Sequence, residues 1–288
     1  MKLIDFYNQV IKYASLIDPR KKSEVVFDDT AILCGNPDIE VRRVLVGIDI
    51  EVGEILLADK IRKEEGLDLV IAHHPEGKAL AALYKVMQLQ VDLLTKAGIS
   101  QATAQAMLDD RMEEVARRVL PGNHTRAVDV ARILDIPFMC IHTPADNHVA
   151  HFLDNLFLKE KPKKVRDIID ILMTLPEYQD AESNNAGPKI ILGSPQRSAG
   201  KVFTEMTGGT EGNKEVFGKL YKKGIRTLVS MHLSEEHFKK VKDANLNAVI
   251  AGHISSDTLG LNLLLDKMEK NGKLSVIGCS GFRRFSRN

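Results

Sequence analysis

The alternation of apolar and polar residues divides the first part of the chain into helices and short buried strands. Residues 3–17 carry apolar side chains at helical spacing, which predicts an amphipathic helix. Short apolar runs at 43–49 and 67–72 predict buried strands, and the segment 51–65 between them predicts a helix. Strand, helix and strand in this order predict a βαβ unit with parallel strands.

A second segment of the chain repeats this pattern. The runs at 226–232 and 246–251 predict strands, and 234–244 predicts a helix that begins at a serine. The two segments share residues at matched positions: Leu67, Val70, Ile71, Ala72 and His74 in the first, and Leu246, Val249, Ile250, Ala251 and His253 in the second. We interpret the match as an internal duplication, the alternative being a chance similarity between two short apolar strands.

The other segments complete a chain in which helices and strands alternate. Apolar runs predict further strands at 138–141, 189–193, 201–206 and 274–278. Helical patterns cover 101–134 with a break at 121–123, a segment that follows 142–148, and then 165–175, 214–221 and 257–270. The polar segment 182–188, which contains Gly and Pro, is the best internal break. This order predicts an α/β protein.

Composition and charge narrow the class of protein. The chain has 288 residues, with 40 Lys and Arg against 39 Asp and Glu, and this balance argues against a protein that holds nucleic acid through its phosphates. The three cysteines form no CxxC pair, so a disulfide scaffold or a cysteine zinc site is a poor interpretation. Neither a long apolar run nor a signal-peptide pattern is present, so we expect a cytoplasmic protein that does not span a membrane.

Histidine and aspartate side chains follow the ends of several predicted strands. They are His73, His74, His142, Asp146, His253 and Asp257. Asp257 comes four residues after His253, which places both on one face if a helix begins there. The carboxyl ends of parallel strands line the crevice where ligands bind. Imidazole and carboxylate groups suit Zn²⁺, Mn²⁺ or Fe²⁺, and a set this large exceeds the needs of one tetrahedral ion, so we expect two ions.

Each of these residues also has a structural alternative. Hydrogen bonds to the backbone at a strand end would explain the adjacent His73 and His74. Helix capping would explain Asp146 and Asp257, because aspartate is common at helix starts. The repeated histidine at 253 favours the metal interpretation for the first pair.

Other polar residues near these strand ends have secondary roles. Asp49 and His232 hold equivalent positions in the repeat and are candidates to orient a ligand or to accept a proton. His148 is a further ligand candidate, and the glycine-rich loop 207–212 is a candidate anion site, although it lacks a GxxxxGK(S/T) arrangement. Three histidines in helical or turn contexts are expected at the surface: His124, His151 and His237.

Three motifs resemble those of a known family. They are HHP at 73–75, HTPADNH at 142–148 and GHISSD at 252–257. In this order they resemble the GTP cyclohydrolase 1 type 2 family, also called the Ngg-one-interacting-factor-three-like or NIF3-like family. The resemblance implies two intertwined, duplicated α/β halves with mixed sheets, a dinuclear metal site in the cleft between them, and a ring-shaped homohexamer. The metal ligands that it implies are His73, His74, Asp146, His253 and Asp257.

The sequence departs from the family pattern in two places. Asp257 stands where the family usually has Glu, which is one methylene longer, so the metal spacing or affinity is expected to differ. The segment 75–145 is longer than in compact members, and its helices are expected to form a lid or an oligomer contact. We expect one half to comprise 1–158 together with 254–288, and the other half to comprise 159–253.

The residues and the resemblance together suggest two functions. The first is a divalent-metal-dependent hydrolase in which two Zn, Fe or Mn ions activate water for attack on a nucleotide or a phosphorylated small molecule. His232, His142 or Asp49 would then act as acid or base, and no catalytic residue is assigned among them. The alternative is a non-catalytic metal-binding scaffold or regulatory protein, which the lack of a strong nucleotide motif favours.

Overall fold

The computed structural model describes residues 1–21, 25–270 and 272–288. Its strands are β1 (Ala31–Cys34), β2 (Arg43–Gly47), β3 (Leu69–Ala72), β4 (Phe138–Cys140), β5 (Lys189–Leu192), β6 (Lys201–Glu205), β7 (Ile225–Ser230), β8 (Asn247–Ile250) and β9 (Ser275–Cys279). Its helices are α1 (Leu3–Ser15), α2 (Val52–Glu65), α3 (Gly77–Ala81), α4 (Leu83–Val86), α5 (Leu89–Lys96), α6 (Gln101–Val119), α7 (Arg126–Ile133), α8 (Thr143–Glu160), α9 (Val165–Leu172), α10 (Pro176–Ser183), α11 (Phe217–Lys222), α12 (Glu235–Asp243) and α13 (His253–Glu269). A short 3₁₀ turn at Lys214–Val216 precedes α11. Within these described ranges, no helix is both long and apolar enough to cross a membrane.

The strands form two mixed sheets, which confirms the α/β fold with two halves. The first sheet has the order β1-β4-β3-β2-β9, and the second has the order β5-β8-β7-β6. In each sheet the first strand is antiparallel to its neighbour and the others are parallel. β9 follows the whole second sheet along the chain but returns to the first, so the two halves are intertwined. The boundaries expected at 158 and 253 stay a prediction.

The two sheets repeat one topology, but the strands that correspond are not the ones that the sequence match pairs. β1 pairs antiparallel with β4, β5 pairs antiparallel with β8, and both pairs contain a register shift. Each of these edge strands is followed by a glycine at positive φ, Gly35 at 105° and Gly193 at 91°. β1 to β4 therefore correspond to β5 to β8, whereas the sequence match places β2 and β3 opposite β7 and β8. The match misleads because buried parallel strands all share near-continuous apolar runs.

Helices α8 and α13 lie side by side and form a layer that both sheets share. Ala145 and Leu261 pack in the core of the first sheet, whereas Leu153 and Leu259 pack in the core of the second. A Cβ at Gly260 would overlap the backbone carbonyl of α8, so glycine permits this close contact between the helices.

The central helix differs from its prediction. The sequence predicts an amphipathic helix over 257–270, but α13 begins at His253 and is buried around most of its circumference. Because α8 and both sheets cover it, this helix needs no polar face toward solvent. Its first polar residues are buried in the candidate site described below.

The long segment 75–145 contributes mainly to the core. Val91 and Leu108, on α5 and α6, pack with residues of α11 and of the second sheet, and Ala131 on α7 packs with the first sheet. The apolar faces of these helices are therefore used within the chain. Only their outer sides are left for the lid or oligomer contact expected from the sequence.

Candidate metal centre

Three connections between strands and helices place the candidate ligands. β3 ends at Ala72 and is followed directly by His73 and His74. β4 leads into α8 and β8 leads into α13, and residues four apart at the start of a helix share a face. The two starts carry matching pairs: His142 with Asp146, and His253 with Asp257.

The five residues implied by the motifs come together around the Asp257 carboxylate. Its Oδ1 lies 3.5 Å from His73 Nε2. Its Oδ2 lies 3.4 Å from His74 Nε2 and 3.5 Å from His253 Nε2. Asp146 Oδ1 lies 3.4 Å from His73 Nε2. The two oxygens of Asp257 therefore face different histidines, Oδ1 toward His73 and Oδ2 toward His74 and His253.

These separations match the geometry of ligands around an ion. They exceed the usual N–H···O distance of about 2.7–3.2 Å. Ligand atoms placed tetrahedrally at about 2.0–2.2 Å from an ion lie about 3.3–3.6 Å apart. His73 Nε2, Asp146 Oδ1 and both Asp257 oxygens are also buried without a hydrogen-bond partner among the described residues. A cation would remove the cost of leaving these atoms unpaired, so the residues fit a divalent metal ion.

His142 joins this cluster, although the motif comparison does not include it among the ligands. Among the described residues, two groups have ligand atoms within 4.8 Å of one another: His73, His74 and Asp257, and His73, His142 and Asp146. The Nε2 of His142 lies 3.8 Å from Asp146 Oδ2. The sequence contains a signal for this, because HTPAD at 142–146 and HISSD at 253–257 have the same spacing. The ligand roles of all these residues stay a prediction.

Hydrogen bonds hold the outer nitrogens of the paired histidines. His73 Nδ1 donates to the carbonyl oxygen of Ile141 at 3.0 Å, and His74 Nδ1 donates to Asp49 Oδ1 at 2.7 Å. Each ring then turns its Nε2 lone pair toward the centre, which is the usual role of such outer partners. The position of Asp49 agrees with the orienting role predicted for it.

Asp29 is an orienting residue that sequence reasoning missed. It is fully buried, and its Oδ2 accepts hydrogen bonds from His142 Nδ1 at 2.8 Å and from Thr143 Oγ1 at 2.6 Å. Burial raises its pKa, but the bonds from His142 and Thr143 outweigh burial and lower that pKa overall. No motif and no predicted strand end marks Asp29, because the edge strand that follows it is short and was not predicted.

Comparison with known proteins identifies the family. No protein-family profile and no curated protein matches the sequence. Among solved structures, a NIF3 superfamily protein from Sphaerobacter thermophilus is 28% identical and superposes with a TM-score of 0.78, over 95% of this chain and 98% of that protein. The chain belongs to the NIF3 superfamily. The family suggested by the three motifs is thereby confirmed.

More distant structures share the NIF3 fold over nearly their whole length. Reduced HcgD from Methanocaldococcus jannaschii is 16% identical with a TM-score of 0.57, over 96% of this chain and 97% of HcgD. A protein from Thermus thermophilus is 14% identical with a TM-score of 0.53, over 96% of this chain and 97% of its own. At this level of identity, the likeness shows the fold alone.

Opposite charges stabilise one another in the centre of this NIF3 protein. Burial lowers the pKa of His73, but Asp257 and Asp146 raise it more, to about 10. Burial raises the pKa of Asp257, but the neighbouring histidines hold it well below its usual range. The carboxylates of Asp146 and Asp257 thus favour positive charge at His73 Nε2, which is the charge that a bound cation would supply.

The centre of the NIF3 protein opens into a cleft lined by its second half. The residues from that half are Glu205, Met206, Thr207, Gly209, Thr210, Glu211, Ser230, Met231, His232 and His253, and His142, Asp146 and Asp257 line the rest of the cleft. The ring centroid of His232 lies 4.9 Å from that of His253, and His232 Nδ1 lies 3.6 Å from Glu211 Oε1. Burial, with the charge of Glu211, raises the pKa of Glu205 to about 7. The loop 207–212 thus faces the centre and brings an acidic side chain with it.

The remaining histidines lie outside the centre of the NIF3 protein. His237 is buried, so the surface position predicted for it is wrong: α12 begins beside the loop 207–212, and His237 Nε2 donates to a loop carbonyl at 3.0 Å. His148 is buried on α8, but its Nδ1 donates to a backbone carbonyl and its Nε2 contacts a lysine. His151 is exposed and His124 is partly exposed, close to expectation.

Proposed function

We propose that this NIF3 superfamily protein is a divalent-metal-dependent hydrolase that acts on a nucleotide or a phosphorylated small molecule. The observation that carries the proposal is the buried, unpartnered carboxylate of Asp257, set between histidines at the edge of an open cleft. Bound zinc, iron or manganese ions, two per chain, would supply Lewis acidity and lower the pKa of water from 15.7 toward about 7.

The chain's own residues fix the geometry of the centre. Asp257 offers one oxygen toward His73 and the other toward His74 and His253. Outer hydrogen bonds hold the rings of His73 and His74 from behind, so little rearrangement is needed when the site fills. A preorganised centre of this kind lowers the barrier to attack on a substrate held in the cleft.

Glu205 is the group that we propose moves the proton. It lines the cleft, and its pKa of about 7 lets the same carboxyl take or give a proton near neutral pH. Asp49 is occupied in orienting His74, and His142 lies with the ligands. His232, paired with Glu211, is placed to contact the substrate beside His253.

Charge supports an anionic substrate. Without cations, the cleft carries several carboxylates, including Glu205 and Glu211, and would repel a phosphate. The carboxylates of Asp146 and Asp257 would hold the cations, and two divalent ions would outweigh their charge and make the floor of the cleft positive. Thr210 also lines the cleft and is placed to contact a polar, phosphorylated molecule, whereas the hydroxyls of Thr207 and Ser230 donate to Asn147 Oδ1 and to the carbonyl oxygen of His232.

Turnover by metal-loaded protein tests the proposal. Protein stripped with a chelator and reloaded with zinc, iron(II) or manganese is assayed against nucleotides, phosphomonoesters and phosphodiesters. We expect His74→Ala to lower turnover of the best substrate at least 100-fold and His151→Ala, an exposed control outside the centre, to leave it unchanged. Equal turnover by His74→Ala and wild type overturns the proposal. If metal raises the stability of the protein but none of these substrate classes is turned over, the result would favour a non-catalytic metal-binding scaffold instead.

We also propose that the chain assembles into the homohexamer that its resemblance implies. Among the described residues, four large apolar side chains are more than 70% exposed: Leu16, Leu120, Ile133 and Leu158. Contacts between subunits would remove these apolar side chains from water. Light scattering should give a mass six times the chain mass of 32.0 kDa. A monomeric mass at micromolar concentration would contradict the assembly.

A further inference from the structure

A second cavity, separate from the metal centre, lies between the end of α1 and the helices α8 and α13. Its volume of about 480 Å³ falls within the range of about 300–1,000 Å³ that is usual for small-molecule sites. Its lining residues are Ile17, His148, His151, Phe152, Asn155, Leu156, Lys159, Leu263 and Lys267. None of them belongs to the candidate metal centre. We call this cavity the α8–α13 groove.

The groove combines an apolar surface with positive charge. Four of its side chains are aliphatic or aromatic: Ile17, Phe152, Leu156 and Leu263. Its charged lining residues, Lys159 and Lys267, are both cationic, and no carboxylate is among the lining residues that the structure describes. Such a surface suits a molecule with an apolar body and one negative charge.

Lys267 lines the groove and has no acidic partner among the residues that the structure describes. Its Nζ donates a hydrogen bond to His148 Nε2 at 3.0 Å. The Nδ1 of His148 donates to the carbonyl oxygen of Pro144 at 2.7 Å, so its Nε2 must be the acceptor, and the amine is held in place. Across the described ranges, no carboxylate forms an ion pair with Lys267. The side chain is half-buried, and burial, together with the charge of Lys270, lowers the pKa of Lys267. An anion in the groove would supply the missing counter-charge.

We propose that the α8–α13 groove binds a free alkyl carboxylate, with the carboxylate on Lys267 and the alkyl chain against Phe152, Leu156 and Leu263. The charge sets the orientation, because Lys267 lines the groove at the end where its Nζ is held by His148, and the rest of the surface is almost entirely apolar. The alkyl chain sets the affinity, which should rise about fourfold for each methylene added until the groove is full. Neutral or cationic molecules of the same length lack the contact with Lys267.

Calorimetry with the full-length, metal-loaded protein tests the proposal. The probes are octanoate and decanoate, with decanol and decyltrimethylammonium as matched molecules of the wrong charge. We expect decanoate to bind more than tenfold tighter than decanol and not to be displaced by a chelator. Lys267→Met, which keeps the apolar stem and removes the charge, should weaken decanoate binding at least tenfold. Lys60→Met, an exposed control on α2, should bind as wild type.

A second variant keeps the test valid if Lys267→Met folds poorly. Phe152→Ala keeps the charge and removes apolar contact, so it should reduce the gain in affinity from octanoate to decanoate. Unchanged decanoate binding in Lys267→Met, equal binding of decanol, or no binding of either carboxylate overturns the proposal. A smaller assembly in Phe152→Asp with no carboxylate binding also overturns it, because the groove would then be a contact between copies of the chain.

Discussion

The Oδ1 of Asp257 lies 3.5 Å from the Nε2 of His73, and neither atom has a hydrogen-bond partner among the described residues. The two side chains come from different sheets. His73 follows β3 of the first sheet, and Asp257 lies on the helix that follows β8 of the second. The candidate metal centre is therefore also a junction between the two halves of the chain.

Replacing Asp257 tests its role between the two proposed ions. Asp257→Asn keeps the shape of the side chain and removes its charge, so we expect metal content, measured by elemental analysis after dialysis, to fall by at least half. Asp257→Glu introduces the residue usual in the family and should retain metal. Asp38→Asn, at an exposed position, is the control. Wild-type metal content in Asp257→Asn would contradict the assignment.

Asp29 should influence metal affinity without contacting an ion. The charge of Asp29 supports the donor Nδ1 of His142, and losing an orienting partner usually costs about 10- to 100-fold in affinity. We expect a loss of this size for Asp29→Asn in a chelator competition assay, with Asp28→Asn as the adjacent control. An affinity within twofold of wild type would show that His142 needs no such support.

Glu205 should make stability depend on pH. Its pKa is raised from 4.5 to about 7, so the folded protein binds more protons than the unfolded chain between these values. Ionisation of Glu205 therefore costs stability as the pH rises through this window. We therefore expect Glu205→Gln to raise the free energy of unfolding, measured in urea, more at pH 8 than at pH 5. The exposed control Glu64→Gln should show no such difference between the two pH values.

The same residue should shape the pH profile of turnover. If Glu205 accepts a proton in the reaction, kcat/KM of wild type rises with pH up to about 7, and this rise is lost in Glu205→Gln. An identical profile in both proteins would assign the proton transfer to another group.

Two glycines should respond in opposite directions to alanine. Gly260→Ala forces α8 and α13 apart, and overpacking of this kind costs about 1–3 kcal/mol of unfolding free energy. Gly53 lies in α2 with open space around it, so Gly53→Ala should stabilise the protein by about 0.5–1 kcal/mol. Thermal and urea unfolding of both variants measure the difference. Equal effects would mean that the helix contact is not close.

The sequence was sufficient to predict the elements with strong local signals. The strands with a clear signal are the short buried runs β2, β3, β7 and β8, whose apolar residues do not follow a helical pattern. The predicted break at 121–123 does separate α6 from α7. The candidate ligands were predictable because strand ends and His-Asp spacing are local features. The place of His142 beside the candidate ligands could have been predicted in the same way, because HTPAD repeats the spacing of HISSD.

The remaining features depend on contacts that no local pattern records. Asp29 acquires its role only when β1 pairs with β4 beside His142. The surroundings of α13 are set by two sheets and α8, so its polar first turn at Ser255 and Ser256 is buried. The correspondence between strands of the two halves could be assigned only from the strand pairing, because the apolar runs have interchangeable compositions.

Anomalous scattering from crystals of the metal-loaded protein tests the central claim most directly. We expect one peak among His74, His253 and Asp257 Oδ2, and a second among His73, His142, Asp146 and Asp257 Oδ1. Fully loaded protein with no peak at these atoms, or with its metal bound elsewhere, would contradict it.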